Sequence, residues 1–85
     1  MSEVQITIRY FAAARAAAGI ETETLFVPAG TTVDGLVTDL ADRGPELAKV
    51  LARCSYLRDG VAVRDKNAVL LTRETLDVLP PFAGG

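Results

Sequence analysis

The chain has no histidine, one cysteine, no Lys/Arg cluster and no long apolar run, and each absence removes a class of function. Without histidine there is no imidazole general base, no Ser-His or Cys-His nucleophile pair and no histidine-containing zinc site. The lone Cys54 has no intrachain partner for a disulfide, and nothing else reads as a bridge-stapled secreted scaffold. A cytoplasmic setting is therefore expected. Nine basic residues against eleven acidic ones give a formal net charge of -2, which offers little electrostatic support for nucleic-acid binding. The most alanine-rich stretch, Phe11 to Ala18, is interrupted by Arg15 and falls far short of the about 20 apolar residues of a membrane span. It also lacks the basic leader of a signal peptide. Neither nucleic acid nor a membrane is an expected partner.

What is present suits one small folded domain. With 85 residues, 49% of them hydrophobic, the chain has apolar material for a single core and no second one. Val4, Ile6, Ile8 and Tyr10 alternate with Gln5, Thr7 and Arg9, the period-two pattern of a half-buried strand. Phe11 to Gly19 combines strong helix formers with a terminal glycine suited to a left-handed C-cap, predicting a short helical turn. Glu21 to Val27 alternates again and predicts a second strand antiparallel to the first. Thr32 is a suitable N-cap for a helix carrying Val33, Leu36, Val37 and Leu40, and Asp34 complements its dipole. Gly44 and Pro45 stop that helix. A further helical piece runs from Glu46 to Ala52, followed by Tyr56 and Leu57 as a third strand. Asp59-Gly60 is a two-residue hairpin signal that returns Val61 and Val63 as a short fourth strand. Leu76 to Leu79 completes the set.

This order predicts an α+β, ubiquitin-like β-grasp: a mixed sheet crossed by one main helix, with the last strand parallel to the first in the middle of the sheet. Periodicity alone leaves a ferredoxin-like fold open. Residues 1–79 form the expected domain and residues 80–85 an expected flexible tail.

That tail reads Pro80-Pro81-Phe82-Ala83-Gly84-Gly85. Two prolines lack amide donors, so they end the ladder and stiffen an extended exit. Two glycines remove every Cβ from the final positions, which suits entry of bare backbone into a narrow slot. At about 7% glycine usage such a doublet arises by chance at a given place in roughly one chain in 200, so its information lies in following a proline-stopped strand. A carboxylate is a poor electrophile until a partner adenylates it with ATP. Attack by a sulfur donor on the mixed anhydride would leave a C-terminal thiocarboxylate, ionised and nucleophilic at neutral pH. The chain itself would be a shuttle, supplying neither base nor metal.

Tyr10-Phe11-Ala12 with Arg15 and Gly19, Gly30-Thr31-Thr32-Val33 with Leu36 and Leu40, and the ending Leu79 to Gly85 resemble the molybdopterin synthase small-subunit family within the MoaD/ThiS sulfur carriers. The likeness spans nearly the whole chain, and the Pro-Pro-x-x-Gly-Gly ending is its most specific part. The resemblance implies that Gly85 is adenylated by an E1-like enzyme, converted to thiocarboxylate and inserted into the large synthase subunit of a heterotetramer. There it would give sulfur to cyclic pyranopterin monophosphate during molybdenum cofactor biosynthesis. It further implies that Pro80, Pro81, Phe82, Ala83 and Gly84 thread the partner, with Phe82 as an apolar anchor, and that Phe11 and Arg15 meet it. No bound cofactor or metal is implied. Carriers for thiamine or cysteine synthesis, a ubiquitin-like protein modifier and a plain interaction module remain alternatives.

Other residues read as structure. Cys54 is expected to pack at a strand start, Asp59 and Gly60 to make a turn, and Lys49 and Lys66 to be surface charge unless a modifier uses them for linkage. Phe11, Phe26 and Tyr56 are expected in the core or on a sheet face. Arg15 either docks an acidic partner or solvates an alanine-rich turn.

Overall fold

Alternation along the first segment sends every second side chain to one side, and burial of that side organises the molecule. The computed structural model describes residues 2–81. Its elements are β1 (Glu3–Tyr10), α1 (Ala12–Ala18), β2 (Thr22–Pro28), α2 (Val33–Ala41), α3 (Pro45–Leu51), β3 (Ser55–Arg58), β4 (Val61–Ala62) and β5 (Glu74–Leu79). The sheet order is β2-β1-β5-β3-β4. β1 pairs antiparallel with β2 and parallel with β5, and β3 is antiparallel to both β5 and β4. The last strand thus lies in the middle beside the first, as expected for a β-grasp.

One sheet face is apolar because the register puts Ile6, Ile8 and Tyr10 of β1 level with Glu74, Leu76 and Val78 of β5. Ile6, Ile8, Leu76 and Val78 are fully buried there, with Val33, Leu36 and Leu40 from α2 and Leu47 and Leu51 from α3 in the same cluster. At roughly 1.5–3 kcal/mol for each fully buried aliphatic side chain, this cluster is the principal force ordering the sheet. α2 starts where Thr32 Oγ1 accepts from Gly35 N at 3.0 Å. Its next free amides, Val33 and Asp34, donate to the carbonyls of Ala68 and Lys66, so the helix end has few unpaired donors. Pro45 at the first position of α3 needs no amide partner.

The turns follow the expected chemistry. Gly19 adopts φ 76° and donates to Arg15 O as the C-cap of α1. Asp59 and Gly60 both have positive φ, matching a type I′ turn between Arg58 and Val61. Asp59 does more than turn the chain, since its Oδ1 accepts from Thr75 N at 2.8 Å and ties the hairpin to β5.

Some boundaries differ from expectation. The predicted helical turn is a seven-residue α-helix. β4 ends at Ala62, and Val63 stays outside it although its amide reaches Tyr56 O at 2.9 Å. β5 begins at Glu74 rather than Leu76 because pairing with β1 extends back to Ile6. Tyr56 is in the core, whereas Phe26 lies on the outer sheet face and is 64% exposed. Among the described residues no helix is long and apolar enough to cross a membrane.

Candidate functional site

The site is built at the C-terminal end of β5. Leu76 and Val78 are anchored in the core while β1 and β3 hold the strand from both sides. Pairing ends where Ser55 faces Leu79, and Pro80 and Pro81 follow without donors to extend it. Burial falls off over the same step: Pro80 is half-buried and Pro81 exposed. The exit is positioned by a strand paired on both sides. Phe82, Ala83, Gly84 and Gly85, the remaining predicted tail residues, lie outside the described residues.

Phe11, one of the two predicted contact residues, sits at this same end. Its amide donates to Val78 O at 3.2 Å, two residues before the prolines, and the residue is 38% exposed. The chain turns from β1 into α1 through Ala12 at φ 50°, a left-handed conformation that costs an alanine roughly 1–2 kcal/mol. Arg15, the second predicted residue, is exposed on α1 and shares a shallow cleft of about 240 Å³ with Phe11 and Arg9. Pro80 and Pro81 line a different depression. This is an apolar groove of about 580 Å³ bounded by Ala13 of α1 and Val50 of α3, with Lys49 and Arg53 also lining it. The fold therefore brings Phe11 to the tail exit and leaves Arg15 facing the neighbouring cleft.

Sequence reasoning missed an ion pair between the central strands. Arg9 Nε and Nη2 donate to Asp77 Oδ1 and Oδ2 at 2.7 and 2.9 Å, a bidentate pair on the outer face. The Arg9 guanidinium is also 5.5 Å from the Phe11 ring centroid. The Asp77 hydrogen bond and charge hold the Arg9 pKa above its ordinary value. A polar residue at the outward phase of each strand was the available signal, but only the parallel register pairs residues 68 apart in sequence.

A second polar group ties the sheet to the helical layer. Tyr10 Oη donates to Glu23 Oε2 at 2.6 Å, and Arg43 Nη1 donates to the same oxygen at 2.6 Å. Burial pushes the Glu23 pKa upward, but hydrogen bonds from Arg43 and Tyr10 outweigh it and the net shift is down. Burial, with the Glu23 bond, raises Tyr10. Cys54 is half-buried, its thiol donates to Val50 O at 3.2 Å, and burial raises its pKa. A thiol held in this way is disfavoured as a thiolate nucleophile, in keeping with a packing role.

Comparison with known proteins agrees with this geometry. The ThiS family model matches residues 8–85. The molybdopterin synthase sulfur carrier subunit of Arabidopsis thaliana is 31% identical over 84 residues, covering 99% of this chain and 86% of that protein. The small archaeal modifier protein 1 of Methanosarcina acetivorans superposes with a TM-score of 0.81 at 22% identity, covering 100% of both chains. A complex of subunits 1 and 2 of the molybdopterin-converting factor from Helicobacter pylori contains a chain matching with a TM-score of 0.67 at 20% identity, over 96% of this chain and 100% of that one. The two structural matches bear on the fold, which is the ubiquitin-like β-grasp. With its β-grasp body, its proline-terminated central strand and a family match reaching residue 85, this chain belongs to the ThiS family, the ThiS/MoaD group of sulfur carriers.

Proposed function

We propose that the chain is the sulfur-carrying small subunit of a molybdopterin synthase, with residues 1–79 as the folded body and residues 80–85 as the arm that delivers sulfur. The observation that carries this reading is the placement of Pro80 and Pro81. A strand held on both sides ends abruptly at the surface, immediately before Phe82-Ala83-Gly84-Gly85. The named plant relative and the extent of the family match support the synthase assignment.

In this mechanism a carboxylate oxygen of Gly85 attacks the α-phosphorus of ATP inside an E1-like partner, and pyrophosphate leaves. Hydrosulfide from a sulfur donor then attacks the acyl carbon of the adenylate and displaces AMP, and loss of the proton leaves the thiocarboxylate. The chain has no histidine to act as a base near neutral pH, and proton handling is assigned to the partners. The arm next enters the large subunit, where the thiocarboxylate sulfur bonds to a carbon of cyclic pyranopterin monophosphate and displaces an oxygen substituent; water then cleaves the resulting thioester, leaving the sulfur on the acceptor and restoring the carboxylate. Glycine at the last two positions keeps the arm slim, and Phe82 supplies an apolar anchor. Phe11, placed at the arm's exit, contributes to the docking face. The Helicobacter pylori complex supports a large-subunit partner of the same kind.

Intact-mass spectrometry of protein purified from its native host under active cofactor synthesis tests this. The expected product is a chain ending at Gly85 and heavier by one oxygen-to-sulfur exchange. A chain that never carries that mass, or that continues beyond Gly85 by permanently attached residues, would overturn the proposal. Covalent adducts on many unrelated proteins would favour the protein-modifier reading instead.

A further inference from the structure

The two rims of the sheet are unequal. β4, at one rim, is two residues long and runs toward Arg64, Asp65 and Lys66, the short and charged kind of edge that resists pairing with another chain. β2, at the other rim, is seven residues long. Its register with β1 is unbroken from Arg9 opposite Thr22 to Glu3 opposite Pro28, so no bulge turns it aside. Tyr10 N donates to Glu21 O at 2.8 Å, and Ala29 N donates to Ser2 O at 3.1 Å. These bonds set the phase of the strand. Glu21, Glu23, Leu25, Val27 and Ala29 turn their backbone groups to β1, while Thr22, Thr24 and Phe26 turn theirs to the open side. Among the described residues no backbone group bonds to that outward set. Its side chains are exposed and uncharged, so the rim lacks the lysines and inward charges that ordinarily guard an edge, and its only proline is Pro28 at the end.

We propose that this rim pairs with the same rim of a second copy of the chain, antiparallel about Thr24, joining two sheets into one. The strand's own chemistry selects both the occupant and the register. A two-fold axis at Thr24 puts Thr24 opposite the second copy's Thr24 and Thr22 opposite its Phe26, so every outward N–H meets an outward C=O. Between them Glu23 lies opposite Leu25 and Glu21 opposite Val27, and no like charges meet. Moving the axis to Glu23 would set two glutamates against each other. Moving it to Leu25 or Phe26 would bring Pro28, which has no donor, opposite Thr22 or Thr24. In the favoured register each exposed Phe26 ring lies across from a threonine, an aromatic and β-branched pair of the kind that stabilises sheets. β1 separates β2 from β5, so the pairing leaves the Pro80 exit uncovered, and it stands independently of the sulfur-carrier reading. One short ladder buries less than the roughly 1,200 Å² at which stable complexes begin. The pair therefore forms reversibly, with a dissociation constant on the order of 0.1 mM.

Sedimentation equilibrium and solution NMR of the full chain over a dilution series test this. A dimer that dissociates on dilution is expected, with amide exchange at Thr22, Thr24 and Phe26 slowing as concentration rises. In a mixture of labelled and unlabelled chains, an intermolecular contact should join the α-protons of Glu23 and Leu25, the close pair of this register. Thr24→Pro removes a donor that β1 does not use, and Thr24→Lys sets two like charges across the axis. Each should weaken association by at least about ten-fold while the amide shifts of Ile8 and Leu76 stay unchanged. If Thr24→Pro disturbs the fold, Thr24→Lys carries the test. Thr7→Lys changes the same outer face opposite Thr24 but has its backbone inside the sheet, and it should affect association less than either. A chain that stays monomeric up to about 2 mM, well above the proposed range, would overturn the proposal. So would a dimer unaffected by the Thr24 variants, one broken chiefly by Thr7→Lys, or growth into open-ended oligomers.

Discussion

β5 and the segment that follows it are continuous in sequence yet opposite in physical character. Within β5, Leu76 and Val78 are fully buried and the backbone is paired on both sides. By Pro81 the chain is exposed and has no ladder to join. The difference separates stability from chemistry: one strand anchors the fold, and by Pro81 the chain has left the sheet. Change in either half should therefore leave the other's property intact.

The most severe test is removal of Gly85, which should abolish thiocarboxylate formation completely, as read by intact mass. Its effect on stability should stay within about 0.5 kcal/mol, the usual range for surface changes. An equal loss of melting temperature would break the comparison. Leu76→Ala should do the converse, destabilising the fold by about 2–5 kcal/mol through lost burial and a residual cavity. The fraction still folded should load sulfur normally. Urea titration combined with mass analysis separates the two quantities.

A smaller effect is expected from the ion pair on the other side of the same strand. The Asp77 side chain is 8% exposed and that of Arg9 51%, so Arg9→Ala leaves the more buried charge unpaired and should lower stability measurably, less than Leu76→Ala does. Asp77→Ala leaves a guanidinium that water can reach and should cost less. Equal losses in chemical denaturation would mean that the pair contributes through contact area rather than charge.

Tyr10→Phe removes the hydroxyl that donates to Glu23 and should cost about 0.5–1.5 kcal/mol. Glu23 also sets a pH dependence. Its folded pKa lies below the ordinary 4.5, so its contribution is fully present above that value. As pH falls below it, the unfolded chain takes up the proton first and stability declines. Glu23→Gln should flatten the acid limb of a plot of stability against pH. An unchanged limb would show that other carboxylates govern acid unfolding. Arg43 is 42% exposed on its side chain, so solvent screening keeps this effect the smallest of the set.

The local elements were legible in the order of residues because each rests on near-neighbour physics. Alternation marked β1 and β2, Thr32 capped α2, Gly19 ended α1, and Asp59-Gly60 specified a primed turn. The parallel neighbour of β1 followed from how β-grasp elements can be connected. Exact ends were less legible: β5 reaches back to Glu74 because β1 offers it a partner, not because residues 74 and 75 are apolar. Phe26 looked suited to a core or a sheet face, and only the pairing phase put it outside.

For function, sequence alone determined the chemistry that this chain lacks and the composition of its slim ending, since both depend on which groups exist. Tertiary structure decided where the chain leaves the sheet, that Phe11 borders that exit and shares a neighbouring cleft with Arg15, and that Ala13, Val50, Lys49 and Arg53 line one groove with Pro80 and Pro81. It also joined Arg9 to Asp77 across 68 positions. These contacts depend on strand register and helix packing, which arise when distant apolar residues share a core and have no signature in the spacing of neighbours.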